Sequence, residues 1–396
     1  MARILLISHI CPPAIDGGSR VIHKIGDYFK TEGHTVASLC SNASSTDDFT
    51  HTYKTISTKL NSKTSVFNLP VYTIFHRPLK LVSRLFPIFS VFAKGPIFKL
   101  LPFLKFLKFY LKFKPDYIVA GPLPTTIILY ANFLRLISNF IIHHQTKILI
   151  NASFHPTDKD FHNPLLIHAL KTSDIIWTLT NFETNYFYQH FGIPLSKMIN
   201  VGNGVDSSLL TKVSKLKRPI ILKLLYIGSF AAHKGIEIII DSLKHLPPIT
   251  TLTLAGQTTL YFPVIRSKIK KLPKTYQNRI FLTNSFSDVD LKKLLDNCSI
   301  LISASTQESF GIVLLEAMAR GIPVIGADIP ASSELIQKSG AGIIFKTGDP
   351  IDLANKIISI NNPKDLKDFS IKGLAYATSH TWDRIGESLW QKISSS

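Results

Sequence analysis

The sequence predicts an α/β protein of GT-B-like layout: two Rossmann-like, doubly wound parallel-sheet domains facing one another across a cleft. Three observations carry this. The chain has 396 residues, more than one core of ordinary size accommodates. Short β-rich runs alternate with helix-period segments from end to end, the pattern of parallel α/β architecture. Runs such as Leu-Leu-Tyr-Ile at 224–227 and Ile-Leu-Ile at 148–150 are continuously apolar, as strands covered by helices on both faces should be.

The elements follow in order. Candidate strands of the first domain are Ile4–Ser8, Thr35–Leu39, Tyr117–Ala120, Lys147–Asn151 and Ile175–Thr180. A second series comprises Leu222–Ile227, Thr251–Ala255, Arg279–Leu282, Ile300–Ser303, Pro323–Gly326 and Gly342–Phe345. The polar, lysine-rich stretch Val205–Pro219 lacks apolar periodicity and marks the division. This gives a first domain over 1–205, a second over 206–380, and a C-terminal helix over 381–396 able to cross back to the first.

Composition narrows the function classes. The chain is 45% hydrophobic and 18% charged, unlike a disordered protein. Cys11, Cys40 and Cys298 show neither pairing nor metal-ligand spacing. They suit small buried residues in a reducing compartment better than a disulfide frame. The N-terminal apolar run is too short for a signal peptide and reads as a first strand. The net charge of +19 biases partners towards phosphates or an anionic surface. A nucleic-acid-binding protein is a remote alternative, because no recognised module is present and the phenylalanines lie within leucine-rich helical segments.

Ligands of open α/β sheets bind beyond the carboxyl ends of strands, so the loops that follow strands carry the chemistry. After the first strand comes Pro12-Pro13-Ala14-Ile15-Asp16-Gly17-Gly18-Ser19-Arg20, then a helical pattern. Gly17 and Gly18 suit either a diphosphate cradle at a helix N-terminus or an ordinary turn capped by Ser19. The loop Gly228-Ser229-Phe230-Ala231-Ala232-His233-Lys234-Gly235 opens the second domain and puts Lys234 at the start of the next helix. There its ammonium can meet phosphate oxygens, or it is a surface lysine.

The third loop is the most informative. Gln307-Glu308-Ser309-Phe310 follows a strand, and a helix from about Gly311 to Arg320 comes next and stops at Gly321. Glu308 lies in the loop, while Glu316 falls inside the helix among Val313, Leu314, Leu315 and Met318. A carboxylate in such company needs hydrogen-bond donors, and ribose hydroxyls would serve. The bland alternative is an i,i+4 pair between Glu316 and Arg320, worth a few tenths of a kcal/mol.

Glu308 and Glu316 resemble the paired-glutamate motif of retaining glycosyltransferases of family 4, which have the GT-B architecture and include bacterial polysaccharide and glycolipid-assembly group 1 enzymes. The likeness runs in order along nearly the whole chain. Gly17-Gly18 resembles the N-terminal phosphate loop, Asn203-Gly204-Val205-Asp206 the family's Asn-Gly-Val-Asp, and Gly228 to Gly235 its glycine–lysine loop. Gly342-Ile343-Ile344-Phe345 with Gly348-Asp349-Pro350, and Trp382 in the last helix, have counterparts too.

The resemblance implies metal-independent transfer, without a cofactor, from a nucleoside diphosphate sugar with retained anomeric configuration. It assigns catalysis to Glu308 on the sugar hydroxyls, Lys234 on the leaving diphosphate, and His155 facing the sugar. Taken alone, His155 would read as structural. Donor binding is implied for Gly17, Gly18, Gly228, Ser229, the backbone of Phe310, Gly311, Ile312 and Val313, and for Glu316 on ribose. One departure is Ser229, where many members carry arginine; Arg20 and His233 are the cations able to stand in. A sugar-nucleotide epimerase of similar fold is the alternative.

Between Asp48 and Asp116 the chain holds twelve Lys and Arg and no acid. Within 76–114, Lys105, Lys108 and Lys112 recur at the spacing of one helical face among Phe and Leu. This suits a helix on an anionic membrane surface or a solvated basic face. Each lysine near such a surface contributes roughly 1 kcal/mol. The expected acceptor is a saccharide or lipid-linked molecule, and the expected location is cytoplasmic, peripherally attached to the inner face of the cytoplasmic membrane.

Overall fold

The computed structural model describes residues 1–10, 17–43, 65–71, 92, 95–155, 158–211, 222–284 and 288–396. The chain divides into two compact units, Met1–Gly202 with Trp382–Ser396, and Asn203–Thr381. Pro12–Asp16 of the first glycine loop, residues 76–91 of the basic stretch and residues 212–219 of the expected division lie outside the described residues.

The first unit holds β1 (Arg3–Ile10), α1 (Gly17–Thr31), β2 (Thr35–Ser41), β3 (Ser65–Leu69), α2 (Leu100–Phe113), β4 (Tyr117–Ala120) and α3 (Thr126–Ile137). A π-helical turn, Ser138–Ile142, extends α3. Then come β5 (Lys147–Asn151), α4 (Pro164–Thr172), β6 (Ile175–Thr178), α5 (Asn181–Phe191) and β7 (Met198–Asn200). The strands run β3-β2-β1-β4-β5-β6-β7, every pair parallel. Strand order therefore reverses between β1 and β4. Ile4, Leu5, Leu6 and Ile7 of β1 are all buried, because helices cover both faces of this central strand.

The second unit contains β8 (Lys223–Ile227), α6 (Ile236–Ser242), β9 (Thr251–Gly256), α7 (Phe262–Lys271), β10 (Ile280–Asn284), α8 (Asp288–Asp296) and β11 (Ile300–Ser303). It continues with α9 (Ile312–Ala319), β12 (Val324–Ala327), α10 (Pro330–Ser339), β13 (Gly342–Phe345), α11 (Pro350–Ser359) and α12 (Pro363–Ser379). Its sheet, β10-β9-β8-β11-β12-β13, is again parallel and reverses between β8 and β11. Asp349 caps α11 by accepting the Ile351 and Asp352 N–H groups, each at 3.0 Å.

The last helix, α13 (Trp382–Ser395), belongs to the first unit. It buries Trp382, Ile385, Leu389 and Ile393, and its Trp390 ring lies 5.9 Å from Phe29 and 4.2 Å from His34. Gly386 permits the approach to α1, since a Cβ there would sit 2.3 Å from the Tyr28 ring.

Both doubly wound sheets are as expected, with differences at their margins. β3 and β7 were not anticipated. β7 has only three residues and β3 only five, and each is an edge strand paired on one side, so neither shows a long apolar run. The strand expected over Ile175–Thr180 stops at Thr178, because Thr180 turns the chain as the N-cap of α5. The reading of three unpaired cysteines is corrected at Cys40, which is disulfide-bonded, while Cys298 is a free buried thiol. Spacing along the chain does not reveal which strand ends adjoin, and Cys40 sits near the end of β2, beside β1.

Candidate functional site

The switch point of the second sheet brings together two loops, one after β8 and one after β11. The first begins at Gly228, whose carbonyl is so close to β9 that a Cβ on Gly256 would sit 1.7 Å from it. Tyr226 donates its hydroxyl to the Ser229 carbonyl at 2.8 Å. Phe230 is fully buried, and its N–H reaches the Gln257 carbonyl at 3.0 Å. These contacts fix the loop before it enters a 3-10 turn, Ala232–Lys234. Lys234 thus ends that turn, whereas the sequence placed it in the following helix. Gly235 intervenes at a φ of 61°, a left-handed conformation that favours glycine.

Gly235 also lets the two loops touch. A Cβ there would lie 2.1 Å from the Ala304 carbonyl. The His233 carbonyl accepts the Thr306 N–H at 2.8 Å. Stitched in this way, the loops set Lys234 Nζ 2.7 Å from Glu308 Oε2, with both side chains 19% exposed. Burial, and then the Glu308 charge, push the Tyr226 phenol well above its ordinary value. It stays protonated and keeps its donor role.

Beyond Glu308 the chain buries Phe310 and turns at Gly311, the N-cap of α9, with a φ of 93°. The N–H groups of Ile312 and Val313 then fall in the first helical turn, where no intrahelical acceptor lies ahead of them. Such donors, with the positive end of the helix dipole, suit an anion or a sugar oxygen. Glu316 is buried one turn later, 4% exposed, between Leu315 and Ala317. Arg320 is held by Asp296, with Nε at 2.8 Å from Oδ1, and by the Leu209 carbonyl at 3.1 Å.

In the first unit, Gly17 starts α1 and a Cβ on it would meet nothing within 4 Å. Gly18 has a packing reason, because its Cβ would sit 2.4 Å from the Pro122 ring. Ser19, read as a cap, lies inside the helix, and its hydroxyl accepts the Ile10 N–H at 3.2 Å. It ties α1 to the end of β1.

His155 is half-buried after β5, beside Phe161. Its loop is fixed from two sides. Phe154 packs within 5.0 Å of Phe161, Tyr186 and Phe187. Glu183, 2% exposed, accepts the Phe154 N–H at 2.6 Å and also the Leu179 N–H. The sequence reading missed Glu183. The available signal was Thr180-Asn181-Phe182-Glu183, the pattern of a capping box, and Thr180 Oγ1 does accept the Glu183 N–H at 3.1 Å.

Lys105, Lys108 and Lys112 are exposed on α2, opposite its buried Phe103, Phe106 and Tyr110. Among the described residues, no group of three or more His, Cys, Asp or Glu is placed to hold a metal ion. No described helix is long and apolar enough to cross a membrane.

Two parallel-sheet units of this kind are the fold of GT-B glycosyltransferases. Residues 213–373, which lie within the second unit, match the family model described as glycosyl transferases group 1. An uncharacterised glycosyltransferase of Methanocaldococcus jannaschii is 25% identical over 55% of this chain and 65% of its own length. The chain thus spans just under two thirds of that relative. The O-antigen chain mannosyltransferase B of Escherichia coli is 24% identical over 68% of this chain and 71% of its own length. The crystal structure of Anabaena HepE in complex with UDP and glucose covers 100% of both chains, with a TM-score of 0.71 at 18% identity.

Proposed function

We propose that this protein moves a hexose-type sugar from a nucleoside diphosphate sugar to a saccharide or lipid-linked acceptor, with retention of anomeric configuration, in assembling a surface polysaccharide or glycolipid. The observation that carries the reading is the Lys234–Glu308 pair, 2.7 Å apart at the switch point of the second sheet. A cation and a carboxylate held together there suit the two ends of the bond that breaks. Lys234 would meet charge developing on the leaving diphosphate, the largest electrostatic demand in the transition state. Glu308 would accept hydrogen bonds from the sugar hydroxyls, and the N–H groups from Phe310 to Val313 would face the same group.

Glu316, buried in α9, would accept from the ribose hydroxyls, which supply the donors a buried carboxylate requires. Gly228 and Ser229 would bring backbone close to the diphosphate, with Gly17 and Gly18 on the first-domain side. The role of His155 at the sugar rests on the family resemblance. The reaction as proposed uses no metal. We further assign Lys105, Lys108 and Lys112 to contact with an anionic leaflet, at the inner face of the cytoplasmic membrane.

The test is thermal stabilisation by a panel of UDP- and GDP-hexoses, followed by product analysis with the donor that binds. A ligand at 100 times its Kd adds about 2.7 kcal/mol to stability. Stabilisation by a nucleotide sugar and an axial-to-axial product by NMR are expected. A panel without any stabilising member, or a product with inverted configuration, overturns the reading.

A further inference from the structure

Helix α2 is amphipathic in a more specific way than its lysine spacing suggests. Leu100, Leu104, Leu107 and Leu111 recur at i, i+4, i+7 and i+11, forming one strip along the helix. Lys105, Lys108 and Lys112 form the adjoining strip on the solvent side. Phe103, Phe106 and Tyr110, on the opposite side, enter the core. The leucines therefore lie on a flank between these two sides, and the core-facing side packs against α3. The Phe103 and Phe133 rings are 6.4 Å apart, and the Tyr110 hydroxyl donates to the Leu134 carbonyl at 2.8 Å and lies 2.7 Å from Ser138 Oγ.

Helix α3 continues the apolar surface across this seam. Phe133 and Leu136 are exposed on its outer side, and the π-helical turn that follows presents Phe140 and Ile141, 73% and 67% exposed. Leu101 on α2 is 73% exposed as well. Large apolar side chains so bare rarely gather on two adjacent elements unless something covers them. Neither α2 nor α3 nor the π-helical turn contains an Asp or Glu.

We infer that α2 and α3 together form one membrane-docking surface, in which Phe140 and Ile141 enter the headgroup–acyl boundary while the α2 lysine row meets anionic lipid headgroups. The occupant follows from charge. An acid-free apolar band with a cationic margin complements an anionic bilayer. A second copy of the chain would instead bring two lysine rows together. The inference rests on the membrane contact proposed above and extends it to a second helix and the π-helical turn that exposes Phe140 and Ile141.

Co-sedimentation with vesicles, either pure phosphatidylcholine or phosphatidylcholine with phosphatidylglycerol, tests this without any turnover, so failure of the proposed reaction leaves the result interpretable. The wild-type chain should partition onto the anionic vesicles at least tenfold better than onto the neutral ones. The paired substitution Phe140→Ser, Ile141→Ser should lower that partition at least tenfold with the thermal transition unchanged. Leu260→Ser, at an exposed leucine of the second unit, should leave it unchanged. Lys105→Gln, Lys108→Gln, Lys112→Gln should remove the preference for anionic lipid. Wild-type partition retained by the Phe140/Ile141 variant overturns the inference. So does equal binding to both vesicles, or a dimer in sedimentation velocity that this variant dissolves while vesicle binding persists.

Discussion

Removing Lys234 and Glu308 singly and together separates their duties, because the fold pairs them with each other. At 2.7 Å with 19% exposure on each side chain, the pair is neither fully solvated nor fully buried. Its coupling falls between the ~0–1 kcal/mol of exposed pairs and the ~3–5 kcal/mol lost on breaking buried ones, hence about 2 kcal/mol. Lys234→Ala removes the cation that would meet the diphosphate and leaves the Glu308 carboxylate beside it without that counter-charge. Nucleoside diphosphate affinity should fall about 100-fold, or about 2.7 kcal/mol. Glu308→Ala releases Lys234 from competition, so affinity should hold or rise by up to about tenfold while sugar transfer is lost. The double variant should bind about tenfold better than Lys234→Ala alone, since the carboxylate that repels the diphosphate is gone. Titration calorimetry with UDP and GDP, beside a transfer assay and melting curves, reads all three. A Glu308→Ala protein that folds normally yet binds nucleoside diphosphate ten times more weakly refutes the reasoning, as does a double variant no better than Lys234→Ala.

Other expectations follow from single contacts. Gly235→Ala combines a φ of 61° with a Cβ 2.1 Å from the Ala304 carbonyl. It should destabilise the protein by more than the ~1 kcal/mol typical of a left-handed glycine and weaken nucleotide binding in calorimetry; an unaltered melting curve contradicts the loop contact. Glu183→Ala strands two buried N–H donors, at ~1–3 kcal/mol each, whereas Glu183→Gln keeps an acceptor and should restore part of the loss in melting temperature and kcat. Asp116 governs an acid limb of stability. Burial alone would raise its carboxyl, but the Arg3 N–H at 2.7 Å, the Arg3 guanidinium at 3.3 Å and the His144 ring at 3.2 Å outweigh that and hold it below the ordinary value. A depressed folded value means stability present above the ordinary carboxylate range and lost as pH falls through the folded one. Asp116→Asn should flatten that limb in denaturant titrations below about pH 4, and an identical acid profile would count against the assignment.

The fold class was legible because strands buried on both faces leave continuous apolar runs, and β1 and β8 are such strands. The edge strands β3 and β7 escaped notice, since one neighbour and a few residues impose little pattern. Within the candidate site, the spacing of Glu308 and Glu316 was readable because one loop and one helix contain both. That Glu308 would meet Lys234 was not, for the two are 74 residues apart and are joined only by the strand order. Glu183 was hidden for a similar reason. Its backbone completes a local cap, which the sequence signals, while its carboxylate reaches a loop 29 residues away, which the sequence does not. Gly18 shows the converse, since a glycine legible as an anion cradle also has a plain steric cause in Pro122.

The return of α13 to the first unit bears on how the chain acquires its structure during synthesis. The second unit is spliced into the first as one continuous insert, its two ends tied by the Val205–Thr381 bridge. A ribosome therefore releases every residue of the inserted unit before it releases the helix that covers α1. Domains generally fold as units as they emerge. The inserted unit can mature first, while α1 waits with Tyr28 and Phe29 uncovered until Gly386 and Trp390 arrive. The unit that begins before the insert is completed only after it.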